Sequence, residues 1–171
     1  MHDKGRAPAG PVAPVREDPA MESLLQEVYS RFSPETSYAV DEIVLVFRPE
    51  DIVEACRMAK TDQRLQFNFL RCLSVVEYPE HFQVVYHLYS NVKSHKATLK
   101  TNVPTDKPVF PSVVSIWEGA NWHEREGAEL FGVTFDGHPN PAHLLLYDEF
   151  EGYPMLKSYP FAEIEEPQHG N

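Results

Sequence analysis

Between Phe67 and Val103 the chain carries three strand-length runs in close succession, and this stretch narrows the choice of fold more than any other. Phe67 to Tyr78 is strand-like, and Pro79-Glu80-His81 supplies a short turn. In the next run Phe82, Val84, Tyr86 and Leu88 alternate with Gln83, Val85, His87 and Tyr89, which gives one strongly apolar face and one mixed face. A third run sets Ala97, Leu99, Thr101 and Val103 against Lys96, Thr98, Lys100 and Asn102. Its lysines are expected to point to solvent, from an exposed face or from an edge strand. The three runs predict an antiparallel meander, and its apolar face needs a cover.

The preceding residues supply that cover. Leu24, Leu25, Val28 and Phe32 recur at three- and four-residue spacings, so a helix is expected from Met21 to the break at Ser33-Pro34. Ile43 to Phe47 reads as a β-branched-rich strand. Pro49-Glu50-Asp51 then opens a second helix, with a proline in its first turn and acids complementing its dipole. That helix places Ile52, Cys56 and Ala59 on one face. The expected class is α+β, a mixed, mainly antiparallel sheet covered by helices.

After a connector containing Pro104, Pro108 and Pro111, Ser112 is placed to cap a short helix through Trp117. A further helix should run from Asn121 to about Phe131, with Gly132 as its terminator. Residues 1–20 carry Pro8, Pro11, Pro14 and Pro19 among alanines and glycines, a composition expected of a disordered tail. Residues 21–132 form the expected domain. Residues 133–171 show little periodicity yet are rich in Phe135, Leu144, Leu145, Leu146, Tyr147, Phe150, Tyr153, Tyr159 and Phe161. An extended C-terminal arm packing on another surface explains both facts; packing on its own domain is the alternative.

With 171 residues the chain can bury one sizeable core. Its formal net charge of −11, from 26 acids and 15 bases, repels nucleic acid and anionic lipid. No apolar run approaches the length of a bilayer span, and no signal-peptide pattern is visible. The expectation is a soluble protein on the side of the membrane where it is made, with any membrane attachment coming through another protein. Cys56 and Cys72 are expected to be buried thiols in a reducing compartment.

The search for chemistry removes most classes. His123-Glu124-Arg125-Glu126 invites a zinc-protease reading, but the second histidine would fall at position 127, which is Gly127. Two cysteines are too few for an iron–sulfur cluster, and no glycine-rich turn joins a strand to a helix. His138 and His143 are the nearest well-placed histidine pair and read as hydrogen-bonding residues. On the helix after Trp117, the residues Trp122, Glu126 and Glu129 fall on one side, and Arg125 is four residues from Glu129, close enough to pair with it. Trp117, Trp122, Leu130 and Phe131 make this helix the most aromatic of the chain, so some of its charges must be partly buried beside fixed partners. Glu124, Glu126 and Glu129 are also the candidates for acid–base work, in which case the chain would be a free-standing acidic enzyme.

The run Trp117-Glu118-Gly119-Ala120-Asn121-Trp122-His123-Glu124-Arg125-Glu126 continues into Glu129-Leu130-Phe131-Gly132-Val133-Thr134-Phe135-Asp136-Gly137-His138-Pro139. Together they resemble the signature of the C-type component of respiratory complex I, the thirty-kilodalton family. Glu124, Arg125, Glu126, Glu129, Leu130, Phe131 and His138 match its pattern position by position. The ending Phe150-Glu151-Gly152-Tyr153-Pro154-Met155-Leu156-Lys157-Ser158-Tyr159-Pro160 is similar too. The resemblance implies a cofactor-free subunit of the peripheral arm, packed on the large D-type subunit and around it. FMN, iron–sulfur clusters and quinone would belong to the complex as a whole. It also implies that Trp122, Glu124, Arg125, Glu126, Glu129, Phe131, His138, Pro139, Tyr153, Pro154, Lys157 and Pro160 serve the partner interface. Two stretches depart from the pattern. Ala142 and His143 stand where the family usually carries two arginines, and of an L-R-K-D run near the end only Lys157 survives, between Leu156 and Ser158. Those departures keep open an equivalent subunit of an energy-converting hydrogenase, or of a relative fed by another electron donor.

Overall fold

A computed structural model describes residues 16–160 of the chain. Ten elements follow in order: α1 (Pro19–Val28), β1 (Glu35–Ala39), β2 (Glu42–Phe47), α2 (Ile52–Thr61), β3 (Phe69–Glu77), β4 (His81–Tyr89), β5 (Lys96–Pro104), β6 (Val109–Pro111), α3 (Ala120–Phe131) and β7 (Thr134–Asp136). Five strands form one sheet in the order β1-β2-β5-β4-β3, and β6 pairs with β7 in a second, two-stranded one. All neighbours in the large sheet are antiparallel except β2 and β5, which run parallel. The sheet is therefore mixed and mainly antiparallel, and the class is α+β as the residue pattern indicates.

The period-two alternation turns the apolar row inward as expected, while Gln83, Val85 and Thr98 of the opposite row are buried too. Tyr86 faces Leu73 on one neighbour and Leu99 on the other, and Leu45 continues the row beside Leu99. These residues are buried in one cluster with Leu25 and Val28 of α1 and with Ile52, Cys56 and Ala59 of α2. Both helices thus lie on the apolar face, and the Tyr29 hydroxyl donates to the carbonyl of Ala55 at 3.2 Å to tie them together. On the sheet's other face Glu42 gathers the Thr98 hydroxyl at 2.7 Å and the Arg71 guanidinium at 2.7 Å.

Several boundaries differ from the sequence reading for local reasons. Asp18 caps α1 by accepting from the Met21 N–H at 3.0 Å, with Pro19 in the first turn, so the domain begins before position 21. The expected tail otherwise lies largely outside the described residues, as do residues 161–171 of the arm. The first helix ends at Val28 rather than near Ser33. Asp51 is the cap of α2, which puts Pro49 ahead of the helix rather than inside its first turn. β1 carries no apolar alternation, because Glu35, Ser37 and Ala39 are exposed and only Thr36 and Tyr38 turn inward. β5 is the central strand of the sheet, flanked by β2 and β4, so its lysines mark a face and the edge-strand alternative falls. Ser112 and the residues to Trp117 make a turn instead of a short helix, and Cys72 is half-buried, unlike the fully buried Cys56.

α3 lies along β3, and Gly127 sets how close it comes. A Cβ at this position would stand 2.6 Å from Cγ2 of Val75, a contact that requires something to move. Gly127→Ala should lower stability by about 1–3 kcal/mol through overpacking, measured by urea unfolding. Adding Val75→Ala to the same chain should recover part of the loss.

Candidate functional site

α3 carries the charges that the sequence singles out, and it separates them by environment. Glu124, Gly127 and Glu129 are buried along it, whereas Trp122 is 58% exposed. Trp122 and Glu129 therefore do not act together from one face. The helix stops at Gly132, whose φ of 70° is left-handed, as the glycine predicts. Gly132 also has a packing duty: a Cβ there would lie 2.7 Å from the Tyr153 ring.

Arg125 and Glu129 do not pair with each other. Both reach instead into the segment at 142–146. Arg125 Nε donates to the carbonyl of Ala142 at 2.7 Å, and its Nη2 donates to the carbonyl of His143. One turn on, the Glu129 carboxylate accepts the N–H groups of Leu144 at 2.8 Å, Leu145 at 2.8 Å and Leu146 at 3.3 Å. His143 Nδ1 lies 3.3 Å from Glu129 Oε2. Burial alone would raise the Glu129 carboxyl, but the three amides and His143 outweigh it and hold it below the usual carboxylate range. The two side chains form a clip: a guanidinium on the carbonyls and a carboxylate on the amides of one short stretch of backbone.

Glu124 is the opposite case. It is fully buried; Oε1 accepts from the Val113 N–H at 2.7 Å, and Oε2 has no hydrogen-bond partner. Burial pushes its carboxyl up to about 7, against the pull of the Ser112 hydroxyl and the Val113 N–H. Its bond to Val113 fixes the turn that carries Trp117, whose indole Nε1 donates to the carbonyl of Phe67 at 3.1 Å.

The other sequence-derived positions are placed less uniformly. Trp122 lies beneath the Arg125 guanidinium, 5.5 Å from carbon to ring centre. His138 uses both ring nitrogens locally: Nδ1 accepts from the Asn140 N–H at 3.0 Å, and Nε2 lies 3.3 Å from the carbonyl of Asn121. Phe131 packs against the core, and Glu126 lines a groove with Cys72 and His123. Pro139 and Pro160 are exposed and Pro154 is half-buried, and none of the three enters the clip. The arm comes back to the domain at its far end. Met155 N–H donates to the carbonyl of Leu130 at 3.0 Å, and Lys157 bonds Glu77 through its N–H at 2.8 Å and its Nζ at 3.0 Å. Packing on its own domain thus holds at both ends of the described arm. Between them Leu145 and Tyr147 are 62% and 65% exposed, and the rings of Tyr147, Phe150 and Tyr159 touch in succession. The expected arm also starts too early: Thr134–Asp136 is β7, which pairs with β6 and belongs to the domain.

Val113, Asn121 and the backbone of 142–146 have contacts in the site that sequence reasoning misses. They act through main-chain atoms, for which no side-chain signal exists. Among the described residues, no group of three or more histidine, cysteine or acidic side chains is placed to hold a metal ion. No described helix is long and apolar enough to cross a membrane.

Fold and clip define a class of protein: an α+β domain whose last helix fastens an extended aromatic segment. Over residues 45–165 the sequence matches the family described as the respiratory-chain NADH dehydrogenase, 30 Kd subunit, and the chain belongs to it. It is 41% identical over 128 residues to a C-type component of the NADH-quinone oxidoreductase of Rhizobium etli, covering 73% of this chain and 67% of that one. It is 39% identical over 127 residues to the C-type component of the same enzyme in a Roseiflexus species, covering 72% and 73%. Among solved structures it resembles the trypsin-resistant fragment of Nqo5, with a TM-score of 0.59 and 28% identity over 70% of this chain and 98% of that one. It shares its fold with a chain of an archaeal membrane-bound sulfane sulfur reductase, with a TM-score of 0.61 and 23% identity over 70% and 72%.

The two carboxylates predict separate behaviour. Glu124 keeps its proton in the native state to about pH 7, while the unfolded chain releases it near the ordinary 4.5. Between those values the native state binds more protons, so its contribution to stability is lost as pH rises through the window. Glu124→Gln should therefore gain roughly 3 kcal/mol relative to the parent between about pH 4 and about pH 8, read from urea unfolding. Arg125→Ala leaves no buried acid unpaired, contrary to what an Arg125–Glu129 pair would require. It should cost only about 1 kcal/mol, with faster amide hydrogen exchange confined to 142–146.

Proposed function

We propose that the chain is a cofactor-free structural subunit in the peripheral arm of a proton-translocating NADH:quinone oxidoreductase, supporting its large D-type subunit. Catalysis then belongs to the complex, with FMN, iron–sulfur clusters and quinone held by other subunits. The chain meets the membrane only through that complex, on its cytoplasmic face. The observation that carries this reading is the clip. Arg125 and Glu129 spend their polar groups on the chain's own backbone, and the result is a fixed display of Leu145 and Tyr147 on the outside. Family membership and the names of the relatives support the same assignment, since those relatives are subunits of NADH-quinone oxidoreductase.

A free-standing acidic enzyme would need an accessible carboxylate with a free lone pair. Glu129 has both oxygens occupied by amides and Glu124 is sealed from solvent, which leaves Glu126, half-buried in the groove beside Cys72 and His123, as the one of the three candidates open to a substrate. A second assembly reading, a relative with another electron donor, is favoured by Ala142 and His143 at the positions of the arginine pair. The clip engages the carbonyls of these two residues, so the substitution leaves the clip intact while changing what the segment offers outward.

Isolation of the complex through a tag on this chain should bring down a large D-type subunit and a flavin-bearing NADH-oxidising module. Recovery with a hydrogenase-type module in place of the flavin module decides for the second reading, and turnover by the chain alone sinks both. Leu145→Asp combined with Tyr147→Asp should leave the chain folded by circular dichroism. It should weaken assembly by at least about tenfold, since buried aromatic anchors are worth about 2 kcal/mol or more.

A further inference from the structure

Among the described residues, the densest run of exposed large apolar side chains lies in the arm, where Leu145, Tyr147, Tyr153 and Met155 stand open to solvent within eleven positions. The loop between them is built on itself. The rings of Tyr147 and Phe150 meet edge to face with centres 5.4 Å apart, and those of Phe150 and Tyr159 stack at 6.2 Å. The Phe150 N–H donates to the carbonyl of Tyr147 at 3.0 Å, and the Tyr159 hydroxyl donates to that of Glu151 at 3.3 Å. Gly152, at a φ of 87°, lets the Tyr159 ring close over it, since a Cβ there would lie 2.8 Å from that ring. Tyr153 borders the same recess as Ala142 and His143, so the run turns back toward its own start. Within this held loop Asp148, Glu149 and Glu151 are exposed and make no ion pair among the described residues. Acids of the domain are treated differently: Glu27, Asp41, Glu42, Glu54 and Asp62 each face an arginine or lysine. No lysine or arginine stands between Arg125 and Lys157 in the sequence, and Lys157 Nζ is turned to the carbonyl of Glu77.

Apolar side chains in the open beside unpaired carboxylates narrow what can cover them. A phosphate, an anionic lipid or a nucleic acid meets charge of its own sign. A wholly apolar surface would take three carboxylates out of water and give nothing in return. A second copy docked through the same loop would set three acids against three. A segment in which lysine or arginine stands among apolar residues meets both demands, and arginine can lie flat on an aromatic ring while its edge donates to a carboxylate. The chain makes that arrangement itself: Arg31 stands 4.4 Å from the centre of the Phe32 ring and donates to Glu54 at 3.1 Å. We propose that residues 145–155 dock a basic segment of a partner polypeptide, with Asp148, Glu149 and Glu151 taking its cations and Leu145, Tyr147, Tyr153 and Met155 its apolar side chains. Because the rings and Gly152 hold the loop before the partner arrives, little ordering is left to the binding step. That the partner is a neighbouring subunit rests on the assembly reading above; its basic character rests on the loop.

The test sets two full-length chains in competition for one complex. Parent and variant carry different tags and are co-expressed, and their ratio in the isolated complex is read by mass spectrometry. Replacing the three acids together, Asp148→Asn with Glu149→Gln and Glu151→Gln, should lower incorporation by about tenfold relative to the parent. Reversing the charges, Asp148→Lys with Glu149→Lys and Glu151→Lys, should lower it further. Neutralising three exposed acids of the domain instead, Glu80, Asp106 and Glu118, should leave parent and variant at parity. Raising salt from about 0.1 M to about 1 M shortens the screening length from about 10 Å to about 3 Å, so release from the complex should accelerate for the parent and not for the neutral variant. Thermal unfolding of the neutral variant and its amide exchange at 142–146 should match the parent, as expected of exposed side chains. Equal incorporation, equal loss from both sets of acids, a salt response that survives neutralisation, or earlier unfolding of the neutral variant overturns the proposal. A free parent chain that sediments as a dimer, and a neutral variant that does not, assigns the loop to a second copy and overturns it too. If neither chain is recovered with any partner, the assembly reading falls and takes this inference with it; if both are recovered equally, only this inference falls.

Discussion

A buried or half-buried amide without a partner costs about 1–3 kcal/mol, and the stretch from Leu144 to Leu146 brings three of them against α3. No described strand lies alongside to receive them. The Glu129 carboxylate takes all three, and the Arg125 guanidinium one turn earlier binds the two preceding carbonyls. The course of the arm depends on this substitution of two side chains for a neighbouring strand. With it, the segment leaves the domain along a fixed path and returns to meet Leu130, Gly132 and Glu77. Without it, the main chain of 142–146 would lose the hydrogen bonds that join it to α3.

The same helix shows how far the surroundings decide what a carboxylate is. Glu124 and Glu129 are both buried, and burial pushes both toward the neutral form. For Glu129 three amides reverse that push; for Glu124 one amide and one hydroxyl do not. More donors and a shallower position together separate a carboxylate held in its charged form from an acid that titrates near neutrality. The charge on Glu124 also opposes ionisation of the buried Cys56 and Tyr86, which burial already holds in their neutral forms. Of these three groups beneath α3, only the carboxyl changes charge near neutral pH.

Much of the sheet was legible because alternation is a direct consequence of strand geometry. Phe82, Val84, Tyr86 and Leu88 are buried, and Ala97, Leu99, Thr101 and Val103 follow them. β1 and β7 were not legible: one is a polar edge strand, and the other has three residues and only Phe135 buried. In the site, the identity of the charged residues could be read and their partners could not. Spacing on a helix puts Arg125 within reach of Glu129, but reach does not decide pairing when backbone groups elsewhere are more in need of a partner. Carbonyls and amides are the same in nearly every residue, so the 142–146 stretch offered nothing to find.

The departures read at Ala142 and His143 leave the clip untouched, because the backbone is indifferent to side-chain identity. Where a contact is made through the main chain, the side chain at that position is free to change, and Ala142 provides its carbonyl to Arg125 as well as any residue would. His143 adds its ring to Glu129 from the same stretch. The clip therefore constrains the path of the segment and leaves its outward chemistry open. Fixing the path in advance also reduces the ordering that a partner would otherwise have to impose, which favours binding without adding a contact. Fastening and recognition are thus carried by different atoms of the same few residues. A subunit built this way can follow changes in the surface it faces while keeping its own arm in place.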